Sequence, residues 1–209
     1  FDGIPLSRDI ERDINNLRLE RGMAHYNEPM AWVQLILRGM SPSALQGNTK
    51  AISLLFPMEA VFESFVAQTL PYELPSHLKV IPQAATYSLV KHGSNDCFKL
   101  RPDLLIQSRR PVQTKLVMDT KWKLINSNSQ KTTQYGLAQA DFYQMFAYGQ
   151  KYLNGIGEMY LIYPAHDQFN QPIQQHFAFS KTLKLWVVPY QITANRGERM
   201  MWVKDVSSI

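Results

Sequence analysis

The chain has 209 residues, 45% hydrophobic and 11% aromatic, which is ample for one packed domain and excludes disorder over most of its length. Its one cysteine, Cys97, excludes an internal disulfide and any multi-cysteine metal site, and no apolar run is long enough to cross a bilayer, so a reducing, cytoplasmic setting is expected. The formal charge of +5 permits a polyanionic partner without requiring one.

In chain order, SRDIERDINNLRLERGM (7–23) spaces Ile10, Ile14 and Leu17 as on one face of a helix, and PMAWVQLILRGM (29–40) opens a second at Pro29. The turn formers of SPSALQGNTKA (41–51) read as a linker. Residues 1–50 are therefore expected to form a helical appendage and linker, and 51–209 the main domain. FPMEAVFESFVAQTL (56–70) predicts a helix stopped by Pro71. ATYSLV (85–90), FKLRPDLLI (98–106) and KLVMDTKWKL (115–124) predict a three-stranded meander joined by polar turns. A polar loop (126–136) leads to a second helix, LAQADFYQMFAYGQKYL (137–153). EMYLIYP (158–164), QHFAFS (175–180) and KLWVVPY (184–190) supply further strands. The sum is an α/β fold, a mixed sheet flanked by helices.

Chemistry concentrates in VMDTKWK (117–123). Strand alternation sends Asp119, Lys121 and Lys123 to one side. Such a stretch is either an edge strand with a solvated charged face or half of a catalytic site, because buried charges need partners or a metal. One hairpin back, RPDLLI carries Asp103. Neighbouring strands lie ~4.8 Å apart, so Asp103 and Asp119 can share a face. Two close carboxylates repel unless a cation neutralises them, and Mg²⁺ favours one or two carboxylates plus water and phosphate oxygens. Lys121 beside them can hold an attacking water or a phosphate oxygen, the parts that phosphodiester hydrolysis needs.

Pro102-Asp103 followed by Asp119-Thr120-Lys121 resembles the PD-(D/E)xK nuclease signature. Upstream, Glu59 and Glu63 stand one helical turn apart, and Glu63 borders the apolar stripe through Val66 and Leu70. Downstream, Gln144 and Tyr148 share a helix face, similar to the Q-x-x-x-Y element of RecB-like nucleases. LLFPMEAVFESFV, LRPDLLI, VMDTKWK and ADFYQMFAYGQKY together resemble the McrC family, the nuclease subunits of McrBC 5-methylcytosine restriction systems, and FDGIPLSRDIERDINNLRLERGMAHYNEPMAWVQLIL resembles the region before their nuclease motif.

That resemblance implies a restriction-endonuclease-like fold and a Mg²⁺-dependent endonuclease subunit cutting double-stranded DNA, with Mn²⁺ as the alternative ion. It also implies a GTP-hydrolysing, McrB-like AAA+ partner oligomer that recognises and translocates modified DNA. Asp103, Asp119 and Glu63 would hold the metal, Lys121 would position the water and Gln144 would orient the site. Arg101, Lys123 and Tyr148 are the candidates for DNA contact, each with packing or ion pairing as its ordinary alternative. No G-x-x-x-x-G-K-[ST] loop is present; GNTK (47–50) lacks the preceding glycine, so no nucleotide is expected on this chain. The family carries an N-terminal partner-docking region, and a start at Phe1 suggests a fragment lacking it. Two other readings stay open: a RecB-like exonuclease, and a non-cutting assembly module that stimulates a partner GTPase.

The five histidines show no metal-ligand spacing. SRRP (108–111) and KTTQ (131–134) are basic or polar loops suited to a DNA backbone or to solvent. Phe142, Phe146 and Tyr152 are expected in the core.

Overall fold

The computed structural model describes residues 9–17, 21–26, 29, 30, 33, 34, 37, 57–127 and 131–205. The chain divides into two compact units, Phe1–Phe56 and Pro57–Ile209. In the first, helix α1 (Ile10–Asn16) starts at Asp9, whose carboxylate accepts a hydrogen bond from the Arg12 amide at 3.0 Å. That cap satisfies one of the free N–H groups of the first turn. A 3₁₀ segment, Arg21–Tyr26, follows, so the helix expected over 7–23 is shorter and interrupted. The helix expected over 29–40 and the linker over 41–51, GNTK included, lie largely outside the described residues.

The second unit is built on a six-stranded sheet. Its strands are β1 (Leu78–Pro82), β4 (Leu104–Arg109), β5 (Val112–Thr120), β6 (Gly157–Pro164), β7 (Phe177–Ala178) and β8 (Leu183–Tyr190), ordered β1-β4-β5-β6-β8-β7. β1, β4 and β5 are antiparallel neighbours, whereas β5, β6 and β8 run parallel. Parallel neighbours need a crossover, and helix α3 (Gln139–Tyr152) supplies the one between β5 and β6. Helix α2 (Met58–Thr69) precedes the sheet.

Strand alternation sorts the core into two layers. Leu104, Ile106, Leu116 and Met118 pack with Phe62, Val66 and Leu70 from α2 and its end. Leu105, Val117, Met159 and Leu161 pack with Met145, Tyr148 and Tyr152 of α3. Both faces of the central strands are thus covered, which explains their near-continuous apolar runs. Gly149 lets α3 sit close to the sheet, since a Cβ there would meet Leu183 Cδ2 at 2.7 Å and the Met159 sulfur at 2.8 Å.

The expected meander is corrected in two respects. The segment 85–90 does not join the main sheet: β2 (Ser88–His92) pairs with β3 (Asn95–Lys99) as a separate hairpin. The antiparallel neighbour of β4 is instead β1, in HLKVIPQ, where flanking prolines and alternating lysine mask an edge strand. The strand expected over 175–180 shortens to Phe177–Ala178. Among the described residues, no helix is long and apolar enough to cross a membrane.

Candidate active site

Register places the two acids. Leu104 stands opposite Met118 in the β4–β5 ladder, and both face α2. The residues one step towards the ladder's end, Asp103 and Asp119, therefore turn to the α3 side with Leu105 and Val117. Asp103 Oδ2 accepts two hydrogen bonds from Thr120, from its amide and from its hydroxyl, both 2.7 Å. β5 ends at Thr120, yet the Lys121 amide still donates to the Ile162 carbonyl at 2.9 Å and prolongs the alternation. Lys121 accordingly faces α3, while Trp122 turns back to Phe62 of α2, with ring centroids 5.5 Å apart.

Around Lys121 a network forms. Its Nζ lies 2.6 Å from Asp119 Oδ2 and 3.8 Å from Asp141 Oδ1, and donates to Gln144 Oε1 at 3.0 Å. Gln144 Nε2 donates to the Tyr148 hydroxyl at 2.8 Å, which in turn donates to the Arg101 carbonyl at 3.0 Å. The i, i+4 spacing of Gln144 and Tyr148 thus ties α3 to the chain just before Pro102-Asp103.

Asp119 is 1% exposed. Burial pushes its carboxyl up to about 7; the Asp103 charge adds to this, while Lys121 opposes it without prevailing. Burial pulls the Lys121 ammonium down, but the charge of Asp119, its hydrogen bond and the further acids Asp141 and Asp103 outweigh it and hold the ammonium above its usual value. Asp119 Oδ2 is fully buried, and the Lys121 ammonium is ion-paired to it at 2.6 Å. A buried carboxylate with a second carboxylate on the same face suits a hard divalent cation, which would offset the repulsion between the two acids. The donor chemistry of Asp103 and Asp119 therefore fits Mg²⁺ or Mn²⁺.

A cleft of about 570 Å³ holds nearly every sequence-predicted residue: Glu63, Asp103, Asp119, Lys121, Lys123 and Gln144 line it. Glu63 is half-buried, and its carboxylate accepts a hydrogen bond from Gln83 Nε2, while Glu59 lines the same cleft but is exposed. Among the described residues, no three His, Cys, Asp or Glu side chains converge as a metal cluster, and Glu63 shares the cleft with Asp103 and Asp119. Lys123 donates to the Gly136 carbonyl at 2.6 Å and pins the following loop. Arg101 is exposed and outside the cleft's lining; Tyr148 is buried and supports Gln144 from behind.

Sequence reasoning missed Asp141, Thr120 and Gln83. Asp141 had a signal: it lies three residues before Gln144 and so shares its helix face. Thr120 and Gln83 had none, because their roles arise from strand ends meeting across the sheet. Replacing Tyr148 by Phe removes the hydroxyl between Gln144 and the Arg101 carbonyl. We expect Tyr148→Phe to cost about 1–2 kcal/mol of unfolding free energy in a denaturant titration.

A family model described as McrBC 5-methylcytosine restriction system component matches residues 1–164. Among solved structures, the chain is similar to one in the refined half-complex from the tetradecameric assembly of Thermococcus gammatolerans McrB AAA+ hexamers with bound McrC. The likeness has a TM-score of 0.50 and 12% identity over 88% of this chain and 46% of that one. The chain thus spans less than half the length of the structure it matches. At that identity the likeness speaks for the fold, and the mixed sheet flanked by helices is restriction-endonuclease-like. No curated protein matches the chain significantly.

Proposed function

Because the chain belongs to the family of McrBC 5-methylcytosine restriction system components, we propose that it is the DNA-cleaving subunit of such a system, a Mg²⁺-dependent endonuclease working with a GTP-hydrolysing AAA+ partner. One observation carries this reading. The buried Asp119 carboxylate is ion-paired to Lys121 Nζ at 2.6 Å in the cleft that Asp103 also lines. Asp103 and Asp119 would hold the metal, which when bound polarises a phosphoryl group and eases deprotonation of water. Thr120 fixes the Asp103 carboxylate through two bonds, and Gln144 and Asp141 hold the Lys121 ammonium at the mouth of the pair. Held there, Lys121 can orient a water or steady a phosphate oxygen as charge builds on it. Glu63 and Lys123 line the path a DNA backbone would take.

The AAA+ partner is supported by the similar structure, an assembly of McrB AAA+ hexamers with bound McrC. The non-cutting reading draws on the lack of a three-ligand cluster among the described residues. Mg²⁺ commonly takes only one or two carboxylates and completes its shell with water and phosphate, so a pair suffices.

The test is a closed circular DNA carrying 5-methylcytosine, incubated with the full chain, an AAA+ GTPase of the family, GTP and Mg²⁺. We expect linearisation that needs methylation, partner and divalent ion together. Degradation only of DNA with free ends would favour the exonuclease, and GTPase stimulation with no cutting in Mg²⁺ or Mn²⁺ would favour the assembly module.

A further inference from the structure

Lys121 stands between two carboxylates carried by different elements. Its Nζ pairs with Asp119 Oδ2 of β5 at 2.6 Å and with Asp141 Oδ1 of α3 at 3.8 Å, a close contact and a loose one. The close contact falls on an acid that the metal reading also needs. An ammonium and a divalent ion on one carboxylate repel each other strongly where water is scarce, and Asp119 is 1% exposed.

The loose contact has the form of a second seat for the ammonium. Asp141 lies in the first turn of α3, where the helix dipole favours negative charge. Its Oδ2 accepts a hydrogen bond at 3.4 Å from the hydroxyl of Tyr163, a fully buried residue of β6, and its Oδ1 is the oxygen that meets Lys121. Gln144, one helical turn on, supplies a fixed neutral acceptor. Its Nε2 is committed to the Tyr148 hydroxyl, so Oε1 is the atom that receives Nζ, at 3.0 Å. An uncharged acceptor holds the ammonium in the cleft without deciding which carboxylate it favours. Closing the 3.8 Å contact to an ordinary charged hydrogen bond takes ~1 Å of travel, within reach of a flexible lysine stem.

We propose that Asp141 is a positioning residue that takes over the Lys121 ammonium when a divalent ion takes Asp119, a proposal that rests on the nuclease reading above. Lysine and ion then share the cleft and no longer compete for one oxygen, and the ammonium stays beside the carboxylate pair. The ordinary role of such an acid, starting a helix and holding Tyr163, accounts for Asp141 Oδ2 but leaves the Oδ1 contact with Lys121 unused.

The test is a double-mutant cycle on the Mn²⁺ affinity of the full chain, read by electron paramagnetic resonance without DNA or partner, with circular dichroism reporting the fold. Asp141→Asn keeps the size and an acceptor for Tyr163 but loses the charge, and should weaken Mn²⁺ binding ~10-fold. In a Lys121→Met background, where no ammonium needs a seat, the same change should cost less than ~3-fold. Equal losses in both backgrounds overturn the proposal and make Asp141 a metal donor or a distant charge. No loss in either background overturns it as well, and leaves Asp141 to Tyr163 alone. Wild-type crystals grown with Mn²⁺ give a check that needs no variant. Lys121 Nζ should lie within ~3 Å of an Asp141 oxygen and clear of Asp119; an ammonium still on Asp119 beside the ion overturns the proposal. Mn²⁺ binding that depends on Asp103 and Asp119 but not on Asp141 defeats this inference alone, whereas binding indifferent to all three defeats the metal site itself.

Discussion

Asp119→Ala and Lys121→Ala are each expected to lower DNA cleavage by the reconstituted complex at least ~10²-fold, with folding and partner binding retained. The two act on one contact. Asp119 Oδ2 and Lys121 Nζ are 2.6 Å apart, and Gln144 and Asp141 hold the ammonium from the other side. On the nuclease reading, removing Asp119 would delete a metal donor; removing Lys121 would leave the carboxylate pair intact but take away the cation proposed to face the reacting phosphate. Lys121→Arg should not rescue, because a planar fork does not replace a compact ammonium in this network. The variants should be compared in single-turnover reactions, with circular dichroism reporting the fold. Cleavage at wild-type rates by either variant would remove the assignment.

In the absence of metal, the stability of the wild-type chain should fall as pH rises from about 4 to about 7. The sign follows from Asp119. Burial, aided by Asp103, lifts its carboxyl from 3.8 to about 7 in the folded state. Across that window the folded chain keeps a proton that the unfolded chain has released, so each step up in pH favours unfolding. A rise of that size corresponds to ~4 kcal/mol. Lys121 does not compensate within the window: its ammonium, held above the usual value of 10.5, contributes stability that persists at neutral pH and is lost only at higher pH. Asp119→Asn should flatten the profile and be more stable than wild type at pH 8 without metal, and saturating Mg²⁺ should narrow the gap. Urea midpoints measured from pH 4.5 to 8 check this. A level wild-type profile would show that Asp119 is not strained by burial.

How far the site was legible follows from the same geometry. Asp103, Asp119 and Lys121 were readable because strand alternation is periodic, and the register of β4 on β5 needed only a short hairpin. Gln144 and Tyr148 were readable because four residues make a helical turn, and they are in fact bonded to each other. Placing 85–90 in the main sheet failed because alternation says that a strand exists, not which strand it pairs with. Its partner was the adjacent hairpin arm, and the edge of the sheet fell to LKVIP, which the prolines disguised. The exposure of Phe146 was hidden for a related reason. An aromatic at helical spacing looks like core until the sheet beneath the helix is seen to end, here at the two-residue β7.

Binding of Mn²⁺ to the full chain, followed by electron paramagnetic resonance, tests the convergence of these side chains most directly. One saturable site is predicted, weakened ~10-fold or more in Asp103→Asn and in Asp119→Asn, because each change removes a charged oxygen donor. Mn²⁺ binding of equal strength in wild type and both variants would mean that the two strands do not form a metal site, and the nuclease assignment would fall with it.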